Sequence, residues 1–203
     1  MEKKFTEKES LDLIIGMIDN AKANLQKGLG KHFLLWGYLV VFASLTNFIF
    51  WGKQWAAIGW LIMLPIGAVG AIIIGRKNSR ETRYYTHVDK LIGVVWSAFT
   101  ISMAAITLAA FNPFGVIPLT WSNLFLFYPT LLALAAMALF ISGKAYRFKP
   151  LIYGAVVCWV CAITCYFVEL QYNVLLYCIG FLLGYIVPGH LIIRKGGKTN
   201  QDV

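Results

Sequence analysis

Acidic side chains are rare in this chain of 203 residues. Nine Asp and Glu stand against eighteen Lys and Arg, and charged residues of both signs make up only 13%. About a quarter of a soluble domain is charged. With 59% of the residues hydrophobic, too little polar surface remains to wrap a globule of this size. That excludes an ordinary cytosolic enzyme and a disordered tail, and four cysteines do not make a secreted disulfide scaffold. Catalytic signatures are also missing: there is no G-x-S-x-G, no H-E-x-x-H and no phosphate-cradling Gly loop. What is left is a protein whose solvent is lipid.

Six windows have the length and composition of membrane spans: Phe33–Trp51, Trp55–Gly75, Leu91–Phe111, Trp121–Ser142, Leu151–Val168 and Tyr172–Ile193. None contains Asp, Glu, Lys or Arg. About 20 apolar residues cross the hydrocarbon core as a helix, and lipid forces every backbone group to pair internally. Apolar and polar residues do not alternate along the windows, so a β-barrel is excluded. The expected fold is all-α, a six-transmembrane-helix bundle with an N-terminal amphipathic cytoplasmic helix. Residues 1–32 form the leader, 33–193 the membrane domain and 194–203 a basic tail.

Charge sets the orientation. Lys3, Lys4, Lys8, Lys22, Lys27 and Lys31 precede the first window. Arg76, Lys77, Arg80, Arg83 and Lys90 follow the second, Lys144, Arg147 and Lys149 the fourth, and Arg194, Lys195 and Lys198 the sixth. The other side has Lys53 alone. The positive-inside rule places both termini in the cytoplasm. Trp51, Trp55, Trp60, Trp121, Phe125, Tyr128, Tyr166 and Tyr172 are expected to form an interfacial aromatic belt on the outer side. The outer segment Asn112–Pro118 reads as a proline-set turn. Basic residues that flank spans face an anionic leaflet, so the net charge of +9 points to the bilayer as partner and not to nucleic acid.

Thr6-Glu7-Lys8-Glu9 has the form of a capping box, and a helix is expected from Glu7 to Gln26. Leu11, Ile14, Ile15, Ile18, Ala21 and Leu25 lie on one arc of it, Asp12, Asp19 and Lys27 on the other. A helix lying on the membrane usually has a Lys/Arg-rich polar face, whereas this one includes two Asp. Docking against the bundle, a protein partner or a second copy of the chain is therefore favoured over lying on the membrane.

Three constellations have chemical potential. Cys158, Cys161 and Cys165 form one stripe of the fifth span, able to hold a soft metal or to serve, with Gly154, as a small-residue packing surface, and the sixth span has a small stripe of its own, Gly180-x-x-x-Gly184. His32, His87 and His190 all fall near the cytoplasmic interface. They read as a metal site, a pH switch or three independent interfacial histidines. Pro188-Gly189-His190 lies in the last span, where Pro188 frees the Gly184 carbonyl and predicts a kink; broken helices line transporter sites. Pro65 and Pro129 place one proline in each of the other even-numbered spans, a weak threefold repeat. No resident cofactor is expected.

Four segments resemble a family of uncharacterised small polytopic bacterial membrane proteins: Phe33-Leu34-Leu35-Trp36-Gly37-Tyr38, Thr86-His87-Val88-Asp89-Lys90, Arg147-Phe148-Lys149-Pro150-Leu151 and Ile186-Val187-Pro188-Gly189-His190. The resemblance implies a multi-pass protein of the bacterial inner membrane and no activity. The expected function is non-enzymatic: an accessory or regulatory membrane protein presenting its basic cytoplasmic loops and leader helix to a partner. The alternative is a carrier or channel for a small neutral or lipidic solute, with Asn47, Ser97 and Thr100 lining a polar cavity.

Overall fold

A computed structural model describes residues 7–81, 87–111 and 121–198, with side chains for 28–79, 87–110 and 125–194. Seven helices account for nearly all of it: α1 (Glu7–Ile49), α2 (Ile58–Glu81), α3 (His87–Phe111), α4 (Trp121–Ala145), α5 (Lys149–Thr164), α6 (Leu170–Phe181) and α7 (Val187–Lys198). A π-helical turn, Leu182–Ile186, joins α6 to α7, and a short 3-10 turn, Cys165–Phe167, ends α5. No strand occurs among the described residues.

Six helical segments are long and apolar enough to cross a membrane: Gly28–Ile49, Ile58–Ser79, His87–Ala110, Phe125–Ala145, Lys149–Phe167 and Leu170–Arg194. The protein is a multi-pass integral membrane protein with an all-α bundle. The windows read from sequence fall on these six, with ends moved by a few residues. The segment Asn112–Pro118 and the Thr6 cap lie outside the described residues, as do the side chains of residues 7–27 and of Trp121.

The leader and first span are one uninterrupted helix, α1. No proline falls between Glu7 and Ile49 to stop it. Two glycines near the junction, Gly28 and Gly30, are covered by neighbours: Asn78 of α2 lies against Gly28, and Gly189 and Ile193 of α7 against Gly30.

The bundle is not a ring of equals. Helices α1, α4, α5 and the α6–α7 span pack together, α2 lies mainly on α1, and α3 mainly on α4. The α4–α5 contact is the most extensive. Its turn closes with Phe148 N–H on the Gly143 carbonyl (2.9 Å) and Arg147 N–H on Lys144 (3.2 Å), the hydrogen-bond pair of a Schellman cap. Arg147 takes the left-handed position at φ 51°, where glycine is usual.

A column of rings occupies the centre. Along the sixth span, Tyr177 and Phe181 have centroids 4.8 Å apart, and Phe181 stacks on Tyr185 at 4.4 Å. Trp60 of α2 and Tyr128 of α4 close on Tyr177 at 5.9 and 5.6 Å. Trp96 of α3 and Phe33 of α1 close on Tyr185 at 6.1 and 5.4 Å. This corrects the aromatic belt: Trp60 and Tyr128 turn inward, because ring-on-ring contact between helices is available to them. Trp55, Tyr166 and Tyr172 stay exposed.

Candidate functional site

The sixth span is where regular geometry fails. Proline lacks a backbone N–H, so Pro188 cannot bond the Gly184 carbonyl four residues back. The chain takes up the mismatch one turn earlier. The Val187 N–H reaches the Leu182 carbonyl, five residues back, and the helix widens into a π turn. Pro65 and Pro129 sit inside α2 and α4 with no such turn.

The widened turn is met by backbone from α5. A Cβ on Gly154 would lie 2.9 Å from Gly184 Cα and 3.1 Å from the Gly184 oxygen, the carbonyl that Pro188 leaves without its helical partner. Glycine at both positions allows this approach, and Cα–H···O contacts suit it. Cys158 donates its S–H to the Gly180 carbonyl at 3.3 Å. The two small-residue stripes thus face each other. Cys158 lies on this seam, and Cys161, Cys165 and Cys178 are also buried.

On its other side the span meets α1. Gly30 and Gly189 are again in near-backbone contact: a Cβ on Gly30 would come within 3.2 Å of the Gly189 oxygen. Gly189 also accepts the Leu34 side chain, and a Cβ on Gly37 would press on Ile186 and Tyr185. Close helices bring Tyr38 and His190 together. The phenol oxygen and Nε2 are 2.8 Å apart, with the rings edge to face at 6.1 Å. Both residues are exposed on the side of the bundle, Tyr38 at 53%. Pro188 and Gly189 are buried beneath them, so of the Pro188-Gly189-His190 element only His190 reaches the surface.

The three histidines do not meet. His32 is half-buried on α1, His87 is exposed at the start of α3, and His190 is on Tyr38. Among the described residues no three His, Cys, Asp or Glu side chains gather in a way that could hold a metal.

The hydroxyls expected to line a cavity are occupied locally. Ser97 Oγ donates to the Gly93 carbonyl at 2.8 Å and Thr100 Oγ1 to Trp96 at 2.8 Å, both on the exposed side of α3. Such back-bonding satisfies a hydroxyl in lipid. Asn47 differs: its Nδ2 donates to the Ala56 carbonyl at 3.0 Å, while Oδ1 is buried with no partner among the described residues. Ser44 Oγ, both amide atoms of Asn173 and Tyr185 Oη are likewise buried and unpaired.

Tyr38 and Asn173 have no motif to announce them. The signal for Asn173 is its spacing: Asn173, Tyr177, Phe181 and Tyr185 recur every fourth residue, one stripe of a helix. Tyr38 gives no such signal, since its partner lies 152 residues away.

At the end of the bundle carrying Lys31 and Arg194, Tyr146 donates to Asp89 Oδ1 at 3.0 Å and ties the α4–α5 turn to the start of α3. Burial first, and then the Asp89 carboxylate, push the Tyr146 phenol above its ordinary range. Comparison with protein-family models, with curated proteins and with solved structures returns no match.

Proposed function

We propose that the protein is a non-enzymatic accessory or regulatory membrane protein, with both termini and the basic connections in the cytoplasm of a bacterium. One observation carries the reading: the helix that packs on both the second and the sixth spans is also the helix of the leader. Helix α1 packs on α2, α6 and α7 and continues without interruption from Glu7. The stretch ahead of Gly28 extends about 30 Å at 1.5 Å per residue. A partner that grips it would be coupled to the spans through unbroken backbone.

The test is deletion of residues 1–27 with photo-cross-linkers placed along the leader of the full chain. Cross-links to one defined protein, or to a second copy, and loss of that assembly on deletion are the expected result. Unchanged assembly size and unchanged partners after deletion count against the reading.

A second reading, a carrier for a small neutral or lipidic solute, is favoured by the unpaired atoms of Ser44, Asn47, Asn173 and Tyr185. Buried polar groups are normally bonded, and Tyr185 lies in the π turn of the sixth span, where a broken helix is the architecture of solute sites. In a variant stripped of its native cysteines, Asn173→Cys separates the readings. Labelling by a membrane-impermeant thiol reagent requires a water path and supports a carrier. Protection from the reagent in either orientation of the protein removes it.

A further inference from the structure

We propose that the groove between α1 and α7, built around Tyr38 and His190, binds the headgroup of an anionic phospholipid in the leaflet at the basic end of the bundle. The proposal does not depend on the accessory reading above.

Three features converge. The first is a donor facing lipid. If the Tyr38 hydroxyl donates to Nε2, the neutral imidazole holds its proton on Nδ1. If Nε2–H donates to the phenol oxygen, the phenol proton is left over. In both tautomers the 2.8 Å pair keeps one N–H or O–H directed away from its partner. Among the described residues neither side chain makes a second hydrogen bond. A donor exposed at this depth needs an acceptor, and phospholipid ester and phosphate oxygens are the acceptors at hand.

The second feature is charge. Lys31 precedes Tyr38 by seven residues, two turns on the same strip of α1, and Arg194 follows His190 by four, one turn on α7. The helices run antiparallel, with Gly30 against Gly189 and Ile193. Both cations therefore stand at the mouth of the groove, about 6 to 10 Å nearer the membrane surface than the pair. Neither has an acidic partner among the described residues. A phosphate at the mouth and a glycerol ester at the pair match the order of groups along a phospholipid. A zwitterionic choline lipid brings its own cation to that mouth and gains less.

The third is the path for the chains. Above Tyr38 the same strip of α1 exposes Phe42 (52%) and Leu45 (43%), an apolar track leading from the pair toward the bilayer centre. Basic pockets between spans recognise anionic headgroups on the same physical grounds.

The experiment uses the full chain in nanodiscs, with spin-labelled phosphatidylglycerol and phosphatidylcholine of identical acyl chains. The groove pair Lys31→Gln with Arg194→Gln is compared with Lys90→Gln and Lys149→Gln. The latter two exposed cations lie at the same end on α3 and α5, so both doubles lose the same charge. The groove double loses two charge-assisted contacts to the phosphate that the control double keeps, and it weakens phosphatidylglycerol relative to phosphatidylcholine about thirtyfold. The control double leaves most of the preference intact. Tyr38→Phe, an exposed site where folding is not at stake, costs about threefold, and a diazirine on the acyl chain labels the peptide containing Phe42 and Leu45. Equal losses in the two doubles, no preference in the wild type, or labelling elsewhere overturns the proposal.

Discussion

The third and sixth spans are almost equally apolar, yet 6% of one and 50% of the other is buried within the bundle. The difference lies in residue size and shape. The sixth span presents Gly180, Gly184 and Gly189 to its neighbours, so backbones approach closely and the large rings between them interlock. In lipid, hydrophobicity gives no preference for the interior of a bundle over its outside. Packing and hydrogen bonds decide. Helix α3 instead faces outward with Leu91, Val94, Ile101 and Leu108. It is held by Trp96, whose Nε1 donates to Ser142 Oγ at 3.2 Å, and by Asp89 on Tyr146.

The severest way to break this contrast is Gly154→Val. The nearest atoms to a new Cβ are Gly184 Cα and O, and backbone cannot step aside as a side chain can. The expected loss is about 3 kcal/mol, read from unfolding in mixed micelles of increasing sodium dodecyl sulfate. A Val variant as stable as the wild type would mean the two stripes do not touch.

Next comes a matched truncation. Leu139 is fully buried between α4 and its neighbours, and Ile101 on α3 is 70% exposed. Leu139→Ala should cost about 2 kcal/mol through lost contacts and cavity formation. Ile101→Ala should stay within about 0.5 kcal/mol, because lipid replaces what is lost. Equal costs would erase the distinction between the packed interior, where Leu139 of α4 meets Gly184 of the sixth span, and the outward face of α3.

Asn173→Leu sharpens the comparison from inside the sixth span. Both amide atoms are buried without a partner among the described residues, and an unpaired buried amide costs about 1 to 3 kcal/mol. An apolar replacement of similar volume should therefore raise stability by about 1 kcal/mol in the same titration. A fall would show that Asn173 has a bonding partner in the membrane.

The six spans were legible because unbroken apolar runs have one solution in lipid. The basic end of the bundle is marked by the Lys and Arg that flank the spans. Which face of each span turns inward was not legible. Around a span both faces are apolar, and the periodicity that orients a soluble helix is absent. Hence Trp60 and Tyr128 were assigned to the interface when they belong to the ring column. At the candidate site the proline announced a disturbance, but its form was set by Gly184 meeting Gly154 across two helices. His190 was visible as a polar residue in a span, whereas Tyr38 became its partner only through the close approach at Gly30 and Gly189.

The smallest expected effect tests the tether of α3. The Tyr146 phenol donates to the Asp89 carboxylate only while it keeps its proton, and its folded value is raised above the ordinary phenol value of 10.0. A group raised on folding contributes fully below its unfolded value and loses that contribution as pH rises through the folded one. The stability difference between wild type and Tyr146→Phe should therefore be constant below about pH 9 and shrink above about pH 10. Its full size should not exceed about 1 kcal/mol, since the pair is partly solvated. Subtracting the Phe variant removes lysines and other tyrosines that titrate in the same range. A difference that stays flat into strong alkali would detach Tyr146 from Asp89.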